Sequence, residues 1–402
     1  MPGLLADTTG FVFPNDAHPP WSIMIVLYPY ITGLVAGAFV VSALYHVFGR
    51  SALKPVARLA IVVSLCFAAC ATLPLLLHLH QPLRCLNVVV TPSPTSAMAG
   101  FGFIYSAYML VLVVETWLLF RPTIVERATT LPGWRGMAYR VLALGVCDIS
   151  PRAAAIDRRL VHGLSVLGIP VACVLHGYVG FLFGAIKANP WWSSPLVPVV
   201  FLCSAIVSGI AALVLLYLVL CARRGIEPDE TCTRSLCRSL WLFLILAVAL
   251  EGLDVLHMAY EREAEWHLVK HLLTHQLAVS YGLFQVLLGA GIPLLLLPLA
   301  AFWHRLSLSA VRTLAVVSSA CVLLQVLAMR WNVVVGGQVF SKSFRGFVDY
   351  PVTVLGREGL LAAGGVLLLP LVLLWVALKV LPCGPGEAAG HEDAAEPGAV
   401  IP

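Results

Sequence analysis

Residues 195–222 read PLVPVVFLCSAIVSGIAALVLLYLVLCA, a run of apolar and small residues without one charged side chain. An α-helix rises about 1.5 Å per residue, so about 20 apolar residues are enough to cross the hydrocarbon core of a bilayer. This run therefore predicts a membrane-spanning helix. Its apolar residues do not alternate with polar ones at period two, as they would in a strand of a membrane barrel.

Similar runs recur along the whole chain. Of its 402 residues, 60% are apolar and 11% are charged, whereas a soluble domain is about half apolar and about a quarter charged. The sequence thus predicts an all-α integral membrane protein with about nine transmembrane helices. We place the nine runs near 23–49, 55–80, 97–121, 160–186, 195–222, 236–260, 268–303, 307–330 and 356–381.

Charge and cysteine content exclude several classes of protein. The 25 basic residues exceed the 20 acidic ones only slightly, and no basic run with interleaved aromatics is present, so nucleic-acid binding is not expected. Most of the 11 cysteines lie in or beside apolar stretches, where a thiol behaves as a small hydrophobe. Iron–sulfur clusters need closely spaced thiolates, and no CxxC occurs. We therefore expect no Fe–S cluster and no metal site in this chain.

The distribution of basic residues predicts the orientation in the membrane. With the N-terminus outside, 17 of the 25 Lys and Arg residues fall on the inner side, which the positive-inside rule favours. Residues 1–22 contain no Lys or Arg and so lack the basic start of a signal peptide. We expect 1–22 to be an extracytoplasmic segment and 382–402, rich in Gly, Ala, Pro and acid, to be a disordered cytoplasmic tail.

A weak internal repeat suggests how the helices are grouped. Thr32-Gly33-x-x-Ala36-Gly37 is similar to Ser204-Ala205-x-x-Ser208-Gly209, and small residues at this spacing let helices approach closely. Close packing alone would also produce both motifs. We expect two four-helix bundles, helices 1–4 and 5–8, and a peripheral C-terminal helix. The predicted units are 23–186, 195–330, an outer loop 331–355 and a last helix 356–381.

Two stretches do not fit simple spans. The polar segment 122–159 is expected to form an amphipathic helix on the membrane surface rather than a tenth span. The run 268–303 is too long for one straight helix, so its first turns are expected at the interface, with a kink at Pro293.

Ionisable residues inside a bilayer are costly and are therefore candidates for function. Helix 6 carries Glu251, Asp254 and His257, which form a candidate proton path towards the outer surface with His275 of helix 7. Glu115 of helix 3 is a candidate for proton entry from the inner side. The alternative for each carboxylate is a structural role beside a buried cation or in a polar pocket.

Two further motifs contain residues that suit a ligand or a partner. In helix 4, glycines follow His176 and would allow a flat ligand or another helix to lie against the backbone. The alternative is a histidine bonded to a carbonyl of a neighbouring helix. After helix 8, a candidate tight loop or docking surface comprises Arg330, Asn332, Gly336, Gly337 and Gln338.

Several ordered motifs together resemble the NrfD/PsrC family, the membrane subunits of polysulfide-reductase-like complexes. Residues 91–100 and the length further resemble the DsrP-like branch of sulfur-metabolism complexes. The motifs that carry the resemblance are Tyr28-x-Tyr30-x-Thr32-Gly33, His176-Gly-Tyr-Val-Gly-Phe-x-Phe-Gly, Pro195-x-x-Pro198-x-x-Phe201-x-x-Ser204-Ala205 and Arg330-x-Asn332-x-x-x-Gly336-Gly337-Gln338.

This resemblance implies a function. Such a protein exchanges electrons between membrane menaquinone or ubiquinone, its substrate, and an extracytoplasmic four-cluster Fe–S subunit, in some complexes with a c-type cytochrome and further membrane subunits. It would act in the bacterial inner membrane, in contact with lipid, with a periplasmic N-terminus, and would not be an enzyme alone. The resemblance places the quinone near His176, Tyr178, Tyr28, Tyr30 and His78.

Two other functions are alternatives. His162 and His176 are 14 residues apart, a spacing that would suit two stacked haems in a helix bundle. A second such pair, His257 and His271, is separated by charged residues, so a haem b quinol oxidoreductase subunit is not the expected function. A proton-coupled transporter would use the intramembrane acids, but the matching broken helices typical of transporters are missing from the sequence.

Overall fold

The computed structural model describes residues 19–93, 95–261, 265–341 and 346–386. Most of the predicted segment 1–22 and most of the predicted tail 382–402 therefore lie outside the described residues. Within the described ranges, nine helices are long and apolar enough to cross a membrane, which confirms the prediction of an all-α membrane protein. We number them spans 1 to 9: Ile23–His46, Ser51–His78, Ala97–Thr130, Pro151–Gly184, Val197–Arg224, Glu230–Tyr260, Ala278–Phe302, Leu308–Gln338 and Leu360–Val380.

Serine residues define the starts of four spans. Ser22, Ser96, Ser150 and Ser307 each accept a hydrogen bond from a backbone N–H of the first turn, at the beginning of spans 1, 3, 4 and 8. Such caps satisfy donors that have no partner inside the helix. We call the end of the bundle at which span 1 begins the outer end, and the opposite end the inner end.

Shorter elements complete the helical structure. Span 2 consists of a 3₁₀ turn and two α-helices, and a separate helix lies between spans 3 and 4. The elements that are not themselves whole spans are Ser51–Leu53, Lys54–Ala71, Leu73–His78, Pro82–Arg84, Asn87–Val90, Gly133–Leu142, Trp266–His271, Leu272–Gln276, Ala278–Gly291, Ile292–Phe302, Leu308–Val334 and Gly336–Gln338. The β contact in the described chain is an isolated bridge between Phe340 and Phe347.

In the described chain, spans 1 to 4 form one closed ring of neighbouring helices, spans 5 to 8 form another, and span 9 packs on spans 1 and 2. Span 1 contacts span 5 about as extensively as it contacts span 2. We use first and second group as names for spans 1–4 and 5–8, and their division into two bundles stays a prediction. The two small-residue motifs meet where span 1 crosses span 5: a Cβ added to Gly37 would lie 2.3 Å from the Ile206 carbonyl oxygen and 2.6 Å from Gly209 Cα. Glycine at these positions therefore lets the two groups join backbone to backbone.

The predicted surface segment 122–159 is only partly a surface element. Span 3 continues into this segment and ends at Thr130, and span 4 already begins at Pro151. The surface helix between them is Gly133–Leu142. A charge pair joins the inner ends of the two spans: Arg121 Nε donates to Asp157 Oδ2 at 2.9 Å, and Arg121 Nη1 donates to the Asp148 carbonyl at 2.7 Å.

Span 7 changes its helical type rather than only its direction. The π-helix Leu272–Gln276 precedes span 7, and the first part of the span, Ala278–Gly291, is also π-helix, whose hydrogen bonds join residue i to i+5. An α-helix follows from Ile292 to Phe302. Pro293 lies in the first turn of that α-helix, where a missing N–H costs little.

Candidate functional site

A groove of about 490 Å³ opens at the outer end, between spans 3 and 4. The start of span 3 shapes it, because glycine at position 100 leaves room for the tyrosine of span 4. A Cβ at Gly100 would lie 2.5 Å from the Tyr178 hydroxyl, which donates to the Ala97 carbonyl at 2.8 Å. The groove is lined by Pro92, Ser93, Thr95, Ser96, Ala97, Ala99, Gly100, Phe103, Tyr178 and Phe181.

The groove combines apolar walls with a few hydroxyl groups. The rings of Phe103 and Phe181 are exposed and form its apolar part. Ser93 and Thr95 hydroxyls lie 3.1 Å apart at its edge, and Ser96 and Tyr178 also contribute hydroxyls. Such a cavity fits a flat, mainly apolar ring that carries oxygen atoms.

His176 faces away from this groove. Residues two apart in an α-helix point in nearly opposite directions, so Tyr178 lines the groove while His176 is buried against span 1. Its Nδ1 lies 2.7 Å from the Ala172 carbonyl and its Nε2 lies 2.6 Å from the Thr32 carbonyl. A neutral imidazole has one N–H, so it can donate to only one of these oxygens.

The two tyrosines of span 1 also diverge. Tyr28 is buried with its ring edge-on to Phe101 at 5.3 Å, and its hydroxyl has no hydrogen-bond partner in the described chain. Tyr30 donates to the Leu323 carbonyl of span 8 at 3.4 Å. Of the residues predicted to bind quinone, Tyr178 alone lines the groove.

His78 has a partner that sequence reasoning missed. Its Nδ1 lies 3.1 Å from Glu358 Oε2, just before span 9, and Ser22 also hydrogen-bonds to Glu358. Burial raises the pKa of the Glu358 carboxyl, but the hydrogen bonds from Ser22 and His78 outweigh it and hold that pKa below its usual range. This cluster ties the outer ends of spans 1, 2 and 9 together.

The second group of spans contains a chain of buried polar side chains around Glu251. Gln285 Nε2 donates to Glu251 Oε2 at 2.9 Å, and Gln325 Nε2 donates to both carboxylate oxygens at 3.1 and 3.2 Å. Asn332 Nδ2 donates to Gln285 Oε1 at 2.7 Å, and Ser280 donates to Asn332 Oδ1 at 2.6 Å. We call these five residues the Glu251 network.

The π-helix of span 7 makes this network possible. Ser280 and Gln285 are five residues apart, and in an α-helix they would point about 140° away from each other. In a π-helix five residues are little more than one turn. Both side chains therefore reach Asn332.

Arg330 lies beside the network and not in a loop. Span 8 is α-helical to Val334, so the predicted start of the outer loop at residue 331 is wrong and Asn332 lies in the helix. Arg330, predicted at the helix end, lies inside it, and both side chains are 1% exposed. The guanidinium lies 3.8 Å from the centre of the Phe201 ring, and Nη2 donates to Ser204 Oγ at 2.8 Å. These contacts stabilise the guanidinium inside the bundle, although its Nε is buried without a hydrogen-bond partner among the described residues.

The other proton-path candidates lie in separate places. Asp254 accepts a hydrogen bond from Ser194, in the connection between spans 4 and 5, and interacts electrostatically with His257. The rings of His271 and His275 stack at 4.3 Å. Partial burial and the neighbouring His275 lower the pKa of His271.

Glu115 is buried in the first group of spans. Ser165 of span 4 donates to its Oε1 at 2.5 Å, while Oε2 has no partner among the described residues. Tyr108, seven residues earlier on the same helix face, also has a buried hydroxyl without a partner in the described chain. Buried polar atoms of this kind are typical sites for internal water.

The turn Gly336–Gln338 closes the outer end of span 8. A Cβ on Gly337 would lie 2.0 Å from Trp192 Nε1, and Asn189 Nδ2 donates to the Gly337 carbonyl at 2.5 Å. Gln338 accepts a hydrogen bond from the Trp21 backbone at 2.9 Å. The tight turn thus fastens the start of span 1, and a docking role for it stays a prediction.

Comparison with known proteins identifies related sequences. Residues 13–342 match the profile of the family described as "Polysulphide reductase, NrfD". Over 206 residues, the chain is 33% identical to a selenate reductase subunit of Mesobacillus selenatarsenatis, covering 50% of this chain and 48% of that protein.

Two further relatives share longer stretches. The chain is 28% identical over 291 residues to a putative dimethyl sulfoxide reductase membrane subunit of Halobacterium salinarum, covering 71% of this chain and 63% of that protein. It is 25% identical over 331 residues to an Hdr-like menaquinol oxidoreductase integral membrane subunit of Archaeoglobus fulgidus. This match covers 81% of this chain and 72% of that protein. The chain thus spans less than two thirds of the length of the selenate reductase and dimethyl sulfoxide reductase proteins.

Proposed function

Because this chain belongs to the NrfD family of polysulphide reductase proteins, we propose that it is the quinone-linked membrane subunit of an oxidoreductase complex. It exchanges electrons between membrane quinone and an Fe–S subunit at the outer end. The Archaeoglobus relative bears the name of a menaquinol oxidoreductase subunit, which supports a quinone as the substrate class.

The groove beside Tyr178 is the observation that carries the proposal. A quinone is a flat ring with two oxygen atoms and an apolar tail, so it needs an apolar slot that offers few hydrogen bonds. Phe103 and Phe181 supply the apolar surface, and Ser93, Thr95 and Tyr178 supply hydroxyls. In this proposal Tyr178, whose hydroxyl donates to the Ala97 carbonyl in the structure, donates to a ring oxygen of the bound quinone instead.

Quinol oxidation releases two electrons and two protons, and this chain has to handle the protons. His78 with Glu358 lies at the outer end and is our candidate for their exit. Deeper in the bilayer, the Glu251 network and Glu115 are candidates for proton transfer, because carboxyl groups flanked by amides or a hydroxyl can take up and release a proton.

The haem alternative fits the structure poorly. Axial ligation requires a free ring nitrogen, and both nitrogens of His176 already lie within 2.7 Å of backbone carbonyl oxygens. His162 Nδ1 lies 2.9 Å from the His46 carbonyl, which leaves its Nε2 free in the described chain, so His176 alone opposes a haem pair. The electrons therefore leave, in our proposal, through a cluster in a partner protein.

We place the protein in the bacterial inner membrane with its outer end on the periplasmic side. Its partners are a four-cluster Fe–S protein and, in some assemblies, a c-type cytochrome and further membrane subunits. Sulfur-compound metabolism is the proposed setting.

Binding of a quinol analogue to the purified complex tests the groove. Tyr178→Phe removes one hydrogen bond and is expected to weaken binding about threefold to tenfold. Tyr260→Phe is the matched control, since Tyr260 is exposed at the outer end of span 6, away from the groove. Wild-type affinity in the Tyr178 variant would remove the groove from the proposal.

A further inference from the structure

The surface helix Gly133–Leu142 presents an apolar face that no described part of the chain covers. Trp134, Met137 and Val141 are 77%, 68% and 67% exposed. They are three and seven residues apart, so they lie on one side of the helix.

The opposite side of this helix is fixed to the protein. Gly136 is buried, and a Cβ there would lie 2.0 Å from the Leu131 carbonyl oxygen. Trp117 Nε1 donates to the Leu142 carbonyl at 2.8 Å, and Tyr139 donates to the Val380 carbonyl at the end of span 9. The helix is held against the inner ends of spans 3 and 9, with its apolar face turned outward.

Positive charge surrounds this face. Arg135 and Arg140 lie on either side of it around the helix, at about 100° and about 120° from Trp134. The exposed acids nearby are Glu126 and Asp148, while Asp157 is paired with Arg121. The exposed arginines of this region are Arg135, Arg140, Arg152, Arg158 and Arg159.

We propose that the surface helix is an in-plane membrane anchor that binds anionic phospholipid at the inner leaflet. Its apolar face enters the acyl chains, while Arg135 and Arg140 reach phosphate groups at both edges. A lipid leaflet fits better than a protein partner because the face lies at the ends of membrane spans, where the leaflet is already present. An indole ring flanked by arginines is typical of that interface.

Tryptophan quenching by brominated lipid tests this anchor in the full-length protein in nanodiscs. Phosphatidylglycerol and phosphatidylcholine brominated on the acyl chains are compared at equal mole fraction. The fluorescence of Trp134 is obtained by subtracting the emission of W134F from that of the wild type. We expect brominated phosphatidylglycerol to quench this signal at least about twofold more than brominated phosphatidylcholine, because basic residues concentrate anionic lipid.

Two sets of variants complete the test. The double variant R135Q/R140Q should lose the preference for phosphatidylglycerol, whereas R305Q, an exposed arginine between spans 7 and 8, should keep it. As a positive control, the fluorescence of Trp375 is obtained in the same way from W375F. Trp375 is an exposed residue of span 9, and its quenching shows that bromine reaches lipid-facing rings. Quenching at Trp375 but not at Trp134, or equal quenching of Trp134 by the two lipids, would overturn the proposal.

Discussion

Glu251 has amide partners at its carboxylate, from Gln285 and Gln325. An amide stabilises the ionised carboxylate by donating N–H, and after a flip its carbonyl can accept a hydrogen bond from the O–H of the neutral acid. The site therefore tolerates both protonation states, as a proton-transfer group requires. A fixed ion pair would hold the carboxylate ionised.

Glu251→Gln tests this role. It preserves the size of the side chain but removes the titratable group, so proton-coupled turnover of the complex should fall about tenfold or more. Affinity for a quinol analogue should stay within about twofold, because the groove is in the other group of spans. Glu126→Gln, at an exposed glutamate of span 3, is the control. Equal losses of turnover and of binding would indicate a structural role.

His176 connects span 4 to span 1, and its replacement has a structural cost. His176→Ala removes a buried hydrogen bond to a carbonyl, which should lower the free energy of unfolding by about 1–3 kcal/mol. Thermal melting of the purified protein measures this, with His304→Ala at an exposed position as control. If the ring also serves the quinone, analogue binding should be lost as well; normal quinol turnover would remove His176 from the quinone site.

Glu358 should make stability depend on acid pH. Its folded-state pKa is lowered, so its contribution is fully present above the unfolded-state pKa of about 4.3 and is lost as the pH falls through the lower folded value. The melting temperature should thus drop between about pH 5 and about pH 3, and less steeply in Glu358→Gln. In Glu126→Gln the melting temperature should depend on pH as steeply as in the wild type. The same steepness in Glu358→Gln would contradict the prediction.

At the scale of elements, the crossing of spans 1 and 5 depends on glycine. A methyl group at Gly37 would meet backbone atoms of span 5, which cannot rotate away as a side chain does. Gly37→Ala should therefore lower the melting temperature or prevent assembly. Gly364→Ala in span 9 is the matched control, because a Cβ there meets nothing within 4 Å. It should be neutral or slightly stabilising, since alanine favours helix. A fully stable Gly37→Ala protein would mean that the two groups can separate without loss.

The π-helix of span 7 shows how one element creates a site. Its wider turn places Ser280 and Gln285 on the same side, where both bind Asn332. An α-helix of the same sequence would turn one of them to another face. The network therefore depends on the helix type as much as on the residues.

At the scale of the whole molecule, Cys147 reports the orientation. It is exposed in the segment between spans 3 and 4, at the inner end. A membrane-impermeant maleimide should label it in inside-out vesicles and not in cells with an intact inner membrane. Cys147→Ser should lose this labelling. Labelling in intact cells that Cys147→Ser abolishes would reverse the proposed topology, since Cys85 at the outer end is also partly exposed.

The sequence by itself determined the number of spans, their approximate positions and the close approach at Gly37. Partition into a bilayer depends on the summed apolarity of about 20 consecutive residues, which is a local property of the chain. Small residues at four-residue spacing are equally local. The family resemblance also rested on short ordered motifs, and the profile match bears it out.

The tertiary structure alone decided which polar groups meet. Gln285 and Gln325 are uncharged and gave no signal, yet they hold Glu251. Arg330 was expected at the outer end of a span, where the loop begins, because a charge is costly inside a bilayer. In the structure it lies within the helix, and Ser204 of span 5 accepts its hydrogen bond. Partners of this kind come from residues far apart in the chain. Their pairing follows from how the spans pack, and no window of sequence contains it.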